Sequence, residues 1–212
     1  MRDLFKRTDV DIMTIKRVEP DFPDEWAIRS AAYHLQQANE KMLKSYISLC
    51  GVRPPYTHDI GQLIMTANDN NIFIPVTTQE VAMSLTYWQA KTRYDPSVYF
   101  RPEDYQKGKQ SFQELKELVV DKLLEIDLIP AIQAFVENGL QGEYSNGDFS
   151  IRVGENADFV ITYENKEIVQ GLYGTTEALA CDNVDDTIIQ KVAAMADEEI
   201  SPYYGQNNSR NR

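Results

Sequence analysis

The chain is poor in the residues from which several common kinds of site are built. It has two cysteines in 212 residues, Cys50 and Cys181. They lie far apart, so neither a disulfide framework nor a zinc ligand set can be assembled from them, and both read as reduced thiols of a cytoplasmic protein. It has two histidines, His34 and His58, so imidazole chemistry near neutral pH has only these to use. No run of about eighteen apolar residues occurs, which excludes a membrane-spanning helix of the usual kind. The segment Met1 to Val10 carries charges where a signal peptide needs an apolar stretch. There is no P-loop, no Gly-x-Gly-x-x-Gly and no Gly-x-Ser-x-Gly, and no cofactor is predicted.

Positive charge is scarce in the C-terminal part. Residues 129–212 hold 5 basic against 14 acidic groups, a net of −9 within the chain's −12, whereas residues 1–128 are nearly balanced at 16 against 19. A phosphate backbone repels such a surface, so generic DNA binding is disfavoured there and a basic protein partner is favoured. The acidic pair Asp185-Asp186 suits a helix N-terminus, and Asp197-Glu198-Glu199 reads as a solvated helix end. Without a second ligand cluster, no metal site is predicted.

What is present divides into two regions with different periods. Asp24–Leu49 has Ile28, Ala32, Leu35, Met42, Tyr46 and Leu49 on one stripe, which predicts a long amphipathic helix closed by Gly51, Pro54 and Pro55. Further helices are predicted over Val10–Val18, from an N-cap at Thr57 through Ile64, from Thr77 or Thr78 through Trp88, and over Phe112–Leu124. Pro130 predicts a break before a short helix, Ala131–Glu137. Beyond Gly139 and Gly142 the period becomes two: Phe149, Ile151 and Val153, then Phe159, Ile161 and Tyr163. Asn146-Gly147 predicts a hairpin with both residues at the tip, and Glu164-Asn165-Lys166 a second turn. Ile168–Tyr173 reads as the returning strand. A closing helix is predicted through Val184, Ile188, Val192 and Met195, capped by Asp182 or Asn183. The expected fold class is α+β: an up-and-down helical bundle, residues 1–138, then a small antiparallel meander of three or four strands with one helix, residues 139–200, then a disordered tail, 201–212. So small a second domain is marginal alone, which predicts docking of residues 140–200 on the bundle or on another subunit.

The long helix carries Tyr33-His34-Leu35-Gln36-Gln37-Ala38-Asn39-Glu40-Lys41-Met42-Leu43-Lys44, and it is followed by Gly51-Val52-Arg53-Pro54-Pro55-Tyr56-Thr57-His58-Asp59-Ile60. His34, Gln37, Lys41 and Lys44 share one helix face, offset from the apolar stripe. Glu40 precedes Lys44 by four, a favourable pairing. A strip of imidazole, amide and ammonium donors suits a phosphate or a nucleobase; it equally reads as a solvated face or a dimer seam. Thr57-His58-Asp59 sits at a helix start, where His58 can fix the preceding turn by hydrogen bonding.

The two segments resemble the signature of HEPN domains (higher eukaryotes and prokaryotes nucleotide-binding), aromatic-His-small-Gln-Gln-Ala-Ala-Glu-Lys-x-Leu-Lys followed by Gly-x-x-Pro-x-x-Thr-His-Asp-Leu. Arg93-Tyr94-Asp95-Pro96 is similar to the arginine-containing turn after the family's fourth helix. The resemblance covers roughly residues 5–127 and reaches nothing in 140–212. It implies a helical bundle that homodimerises, with a nucleotide or phosphorylated ligand near His34, Gln37, Lys41, Lys44, His58, Asp59, Arg93 and Tyr94. Ribonuclease members carry Arg, four to six residues, then His; here no histidine follows His58. The proton-transfer residue is missing, and Tyr99, with an ordinary pKa near ~10, is a poor base at neutral pH. The resemblance therefore implies a non-catalytic module, with a diverged toxin–antitoxin ribonuclease and a purely structural interaction protein as the alternatives.

Overall fold

The computed structural model describes residues 2–19, 24–88, 91–92, 95, 100–182 and 184–208. They form two compact units, residues 1–119 and 120–212. Among the described residues, six helices precede a five-stranded antiparallel sheet, and helices follow it, giving the α+β class expected.

In the first unit, α1 (Arg2–Val18) and α2 (Glu25–Leu49) form the main helix pair. Asp24 caps α2 by accepting the Ala27 N–H at 3.0 Å. Ala31, Ala32 and Ala38 are buried, and such small residues let neighbouring helices approach α2 closely. Around them Leu35, Met42, Leu43 and Ile47 meet water hardly at all. The C-terminus of α2 closes on Gly51 at φ +81°, with Gly51 N–H donating to Ser48 O at 3.0 Å and Val52 N–H to Ile47 O at 3.2 Å. The chain is thereby released into residues 51–59, and α3 (Ile60–Asp69) follows. The cap of α3 is Asp59, whose carboxylate accepts the Gly61 N–H at 2.8 Å. Thr57, the expected cap, instead accepts the Asp59 N–H at 3.1 Å. Helix α4 (Val76–Ser84) starts from Pro75 and runs into a 3-10 turn, Leu85–Tyr87. Thr78, one of the two expected caps, lies inside α4, buried, with its hydroxyl on Glu114. The last long helix, α5 (Pro102–Leu123), begins ten residues before the predicted Phe112, because Pro102 supplies a first-turn start and Glu103 and Asp104 suit the N-terminal dipole.

The second unit takes up the end of α5, a π-helical stretch Leu124–Leu128 and α6 (Ile129–Glu137). Pro130 does not break the run: it occupies the first turn of α6, where its missing N–H costs nothing. The sheet is a meander, β1 (Glu143–Asn146), β2 (Phe149–Arg152), β3 (Phe159–Tyr163), β4 (Lys166–Leu172) and β5 (Thr175–Ala178), in that order. It has five strands where three or four were expected; β1 and β5 carry polar, half-exposed residues that give no apolar alternation. Asn146 pairs with Phe149, so the tip of the first hairpin is Gly147-Asp148 and lies one residue later than predicted. Asn146 remains in the strand because its amide donates to the carbonyls of Ile126 (2.9 Å) and Asp127 (3.3 Å) in the π stretch. Glu164-Asn165 and Tyr173-Gly174 form two-residue turns with all four residues at positive φ.

One sheet face is the core of this unit, with Phe149, Ile151, Phe159, Ile161, Tyr163 and Val169 buried. Helix α6 packs on β1 and β2, and α7 (Asp186–Glu199) on β4 and β5, so two helices cover the face rather than one. The cap of α7 is Asp185, accepting from Thr187 N–H at 2.9 Å; Asp182 lies outside the helix and Asn183 outside the described residues. Residues 201–208, expected to be disordered, form the helix α8 (Ser201–Asn208). It is anchored by the Tyr204 ring stacked on Phe159 at 6.1 Å and by the Tyr204 hydroxyl donating to Asp158 O at 2.8 Å.

Candidate functional site

The strip predicted on α2 exists, and it is built around two buried carboxylates. Asp11 of α1 is 4% exposed and Glu40 of α2 is 3% exposed. Asp11 receives His34 Nδ1 at 2.9 Å on one oxygen and Lys41 Nζ at 2.5 Å on the other. Glu40 receives Lys44 Nζ at 2.8 Å, His58 Nδ1 at 3.1 Å and the Gln36 amide at 3.2 Å. Lys44 also donates to the Thr57 carbonyl at 2.6 Å, which ties residues 51–59 to α2. Gln37 donates to Gln36 Oε1 at 2.6 Å. The helical spacing puts Gln37 between the two carboxylate clusters.

Burying a carboxylate without partners is expensive, and here each has two cationic or potentially cationic groups on it. The charge of each cluster is close to neutral when the histidines are neutral, and positive when they are protonated. The strip is thus a set of oriented groups, each lysine and histidine paired to a carboxylate, rather than a free basic patch. The side chains of His34 and Lys41 remain 24% and 25% exposed, and that of His58 62%. Because Nδ1 of each imidazole is committed to a carboxylate, Nε2 is the nitrogen left to meet a ligand. Lys41 has donor capacity beyond Asp11, since an ammonium carries three N–H groups.

Six of the eight predicted site residues can therefore be placed. His34, Gln37, Lys41, Lys44 and His58 line the strip, and Asp59 is spent on capping α3. Arg93 and Tyr94 lie outside the described residues. His58 makes its hydrogen bond to Glu40 of α2 rather than within the turn, and it ties the segment to that helix alongside Lys44, while the Thr57 hydroxyl bonds within the turn. The residue the sequence reading missed is Asp11. Its signal was present, a charged residue on the buried stripe Thr8, Asp11 and Ile15 of α1, but it becomes visible only if the helix is started before Val10. Among the described residues no group of three His, Cys, Asp or Glu side chains is arranged to hold a metal ion, and no helix is long and apolar enough to cross a membrane. Neither cysteine forms a disulfide.

Every member of the two polar clusters except Asp11 lies within the span where a known family is matched. The family model of the HEPN domain matches residues 14–123, just over half of the 212. The match starts three residues after Asp11 and takes in α2, residues 51–59 and α3, and none of the sheet. No curated protein and no solved structure matches the chain.

Proposed function

Because the chain belongs to the HEPN domain family, a family of nucleotide-binding or ribonuclease-like domains, we propose that it works as a non-catalytic binding module for a nucleotide-like or phosphorylated ligand. The observation that carries this reading is the strip itself: Lys41, Lys44, His34 and His58 are held in fixed directions by Asp11 and Glu40 and keep part of their surface open. A merely solvated helix face would leave the carboxylates in water, and it would not fix the directions of two ammonium and two imidazole groups. A phosphate added to the strip adds charge-assisted hydrogen bonds of roughly 1.5–3 kcal/mol each, and it competes with the resident carboxylates. Affinity is accordingly micromolar or weaker. The module acts as a homodimer, and its acidic second unit serves as the surface for a basic protein partner.

Calorimetry with a nucleotide panel tests the ligand. The expected result is weak binding that is lost in Lys41→Ala plus Lys44→Ala, with the fold of that variant verified by circular dichroism. Flat isotherms across the panel, or undiminished binding by the folded double variant, refute the reading.

One observation favours a second reading. Each histidine is oriented by a carboxylate on Nδ1, the geometry in which an imidazole is positioned for acid–base work. That would suit a diverged ribonuclease of the toxin–antitoxin kind. Against it stands the absence of any histidine after His58. Incubation with RNA in the presence of a chelator separates the two. No cleavage is expected; cleavage lost on both His58→Ala and Arg93→Ala establishes the ribonuclease instead.

A further inference from the structure

Tyr56 is fully exposed, at the tip of the segment that joins α2 to α3. The backbone beneath the ring is pinned on both sides. Thr57 N–H donates to Pro55 O at 3.0 Å, a three-residue turn with Tyr56 at its centre. Lys44 Nζ holds the Thr57 carbonyl at 2.6 Å, and the Thr57 hydroxyl holds the Asp59 N–H at 3.1 Å. Pro54 and Pro55 stiffen the approach. Consecutive Cα atoms are about 3.8 Å apart, so Tyr56 stands one residue from the carbonyl that Lys44 grips. Arg53 and His58, both exposed, flank it within three residues.

Exposure alone would not distinguish this ring. Tyr173 is also exposed, at a hairpin tip of the second unit, in a region of net negative charge. Tyr56 differs in standing on a pinned backbone, one residue from the carbonyl that Lys44 holds and two residues from His58. An aromatic face beside phosphate-binding cations is the combination that takes a nucleobase and its phosphates together, because every base offers a π-face for stacking.

We infer that Tyr56 is the aromatic platform of the strip, the residue on which the base of a nucleotide ligand stacks. The inference rests on the binding reading above and deepens it. Stacking one base on one aromatic ring strengthens binding about tenfold. The phosphates lie toward Lys44 and Lys41, and the base lies over the Tyr56 ring.

The test compares ATP with inorganic tripolyphosphate by calorimetry on the full-length protein. ATP is expected to bind about tenfold tighter. Tyr56→Ala should abolish that difference and leave the tripolyphosphate affinity unchanged, and Tyr56→Trp should keep it. Because the side chain is exposed, neither substitution disturbs packing. Quenching of the introduced indole by ATP but not by tripolyphosphate gives a second readout. Equal binding of the two probes by the unmodified protein, or an equal loss of both in Tyr56→Ala, overturns the stacking role while the phosphate-binding reading stands. Failure of both probes to bind overturns the reading itself, and the inference with it.

Discussion

Glu40 and His58 stand 18 residues apart in sequence and 3.1 Å apart in space, the carboxylate buried in the middle of α2 and the imidazole mostly in water. The pair joins the long helix to the segment that launches α3. Lys44 grips the same carboxylate and, through Thr57 O, the same segment. Glu40 is therefore a structural hub, and the donors around it keep their directions because it is there. Glu40→Ala should destabilise the protein by about 2–3 kcal/mol, below the cost of breaking a fully buried pair because Lys44 and His58 keep access to water. Chemical denaturation measures this. In a double-mutant cycle with Lys44→Met, the two losses should be markedly non-additive; simple additivity would show that Glu40 and Lys44 do not act on each other.

The end of α1 is tied to α5 by a third polar cluster with its own pH dependence. Glu19 accepts from the Tyr105 hydroxyl at 2.9 Å and from Lys109 at 2.7 Å. Burial pushes its carboxyl up, but the hydrogen bonds from Lys109 and Tyr105 and the lysine charge outweigh this and hold it below the ordinary carboxylate range. A lowered folded-state pKa means that Glu19 contributes stability above its unfolded value, and that the contribution is lost as pH falls through the folded one. The stability gap between the native protein and Glu19→Gln should be constant at neutral pH and close in acid. A gap independent of pH down to 3 would dispose of the linkage.

In the second unit the sign reverses. Burial, and then the charge of Asp158, push the Tyr204 hydroxyl up to about 12. A raised folded-state pKa gives stability that is intact below the unfolded value near ~10 and is lost as pH rises toward 12. Tyr204→Phe should therefore be less sensitive than the native protein between pH 10 and pH 12, as read from unfolding curves across that range. Identical alkaline profiles would mean that the hydroxyl is not held by the fold.

Gly171 faces Phe159 across β4 and β3, and a Cβ built on it would lie 2.1 Å from the ring. That ring is 1% exposed and already stacked on Tyr204, so it has little room to yield. Gly171→Ala should cost about 1–3 kcal/mol by overpacking. Gly171→Ala combined with Phe159→Leu should recover part of the loss. A neutral Gly171→Ala would show that the ring shifts freely.

We propose that the folding unit containing the sheet begins before the Gly139–Gly142 stretch. Ile132 and Phe135 of α6 are buried, and α6 packs on β1 and β2. Each such side chain contributes about 1.5–3 kcal/mol by leaving water. A fragment 120–212 should melt cooperatively, and a fragment 139–212 should not. If 139–212 melts as sharply and as high as 120–212, α6 is dispensable and the glycine stretch is the true boundary.

Much of this was legible in the residues because it depends on local chemistry. The apolar stripe of Asp24–Leu49 is a period-3.6 pattern, and it became α2 with Asp24 as its cap. The alternation at Phe149–Ile151 and at Phe159–Tyr163 is a period-2 pattern, and it became β2 and β3. The Glu40–Lys44 pair follows from i, i+4 spacing alone. Other choices turned on partners distant in sequence. Asn146 looked like a turn residue, yet it stays in β1 because the π stretch offers it two carbonyls. Ser201–Asn208 looked like a polar tail until Phe159 gave Tyr204 a surface.

The donor strip divides along the same line. Its members could be chosen from the sequence, because 3.6 residues per turn put His34, Gln37, Lys41 and Lys44 on one side of a helix whatever surrounds it. Their electrostatic character could not. Whether a lysine is a free cation or half of a buried pair depends on what the neighbouring elements bring to it: Asp11 comes from a helix 23 and 30 residues away from the groups it holds, and His58 reaches Glu40 from 18 residues away. Local periodicity fixed the face. Packing of α1 and of residues 51–59 against it decided that the face is neutralised, oriented and only partly open.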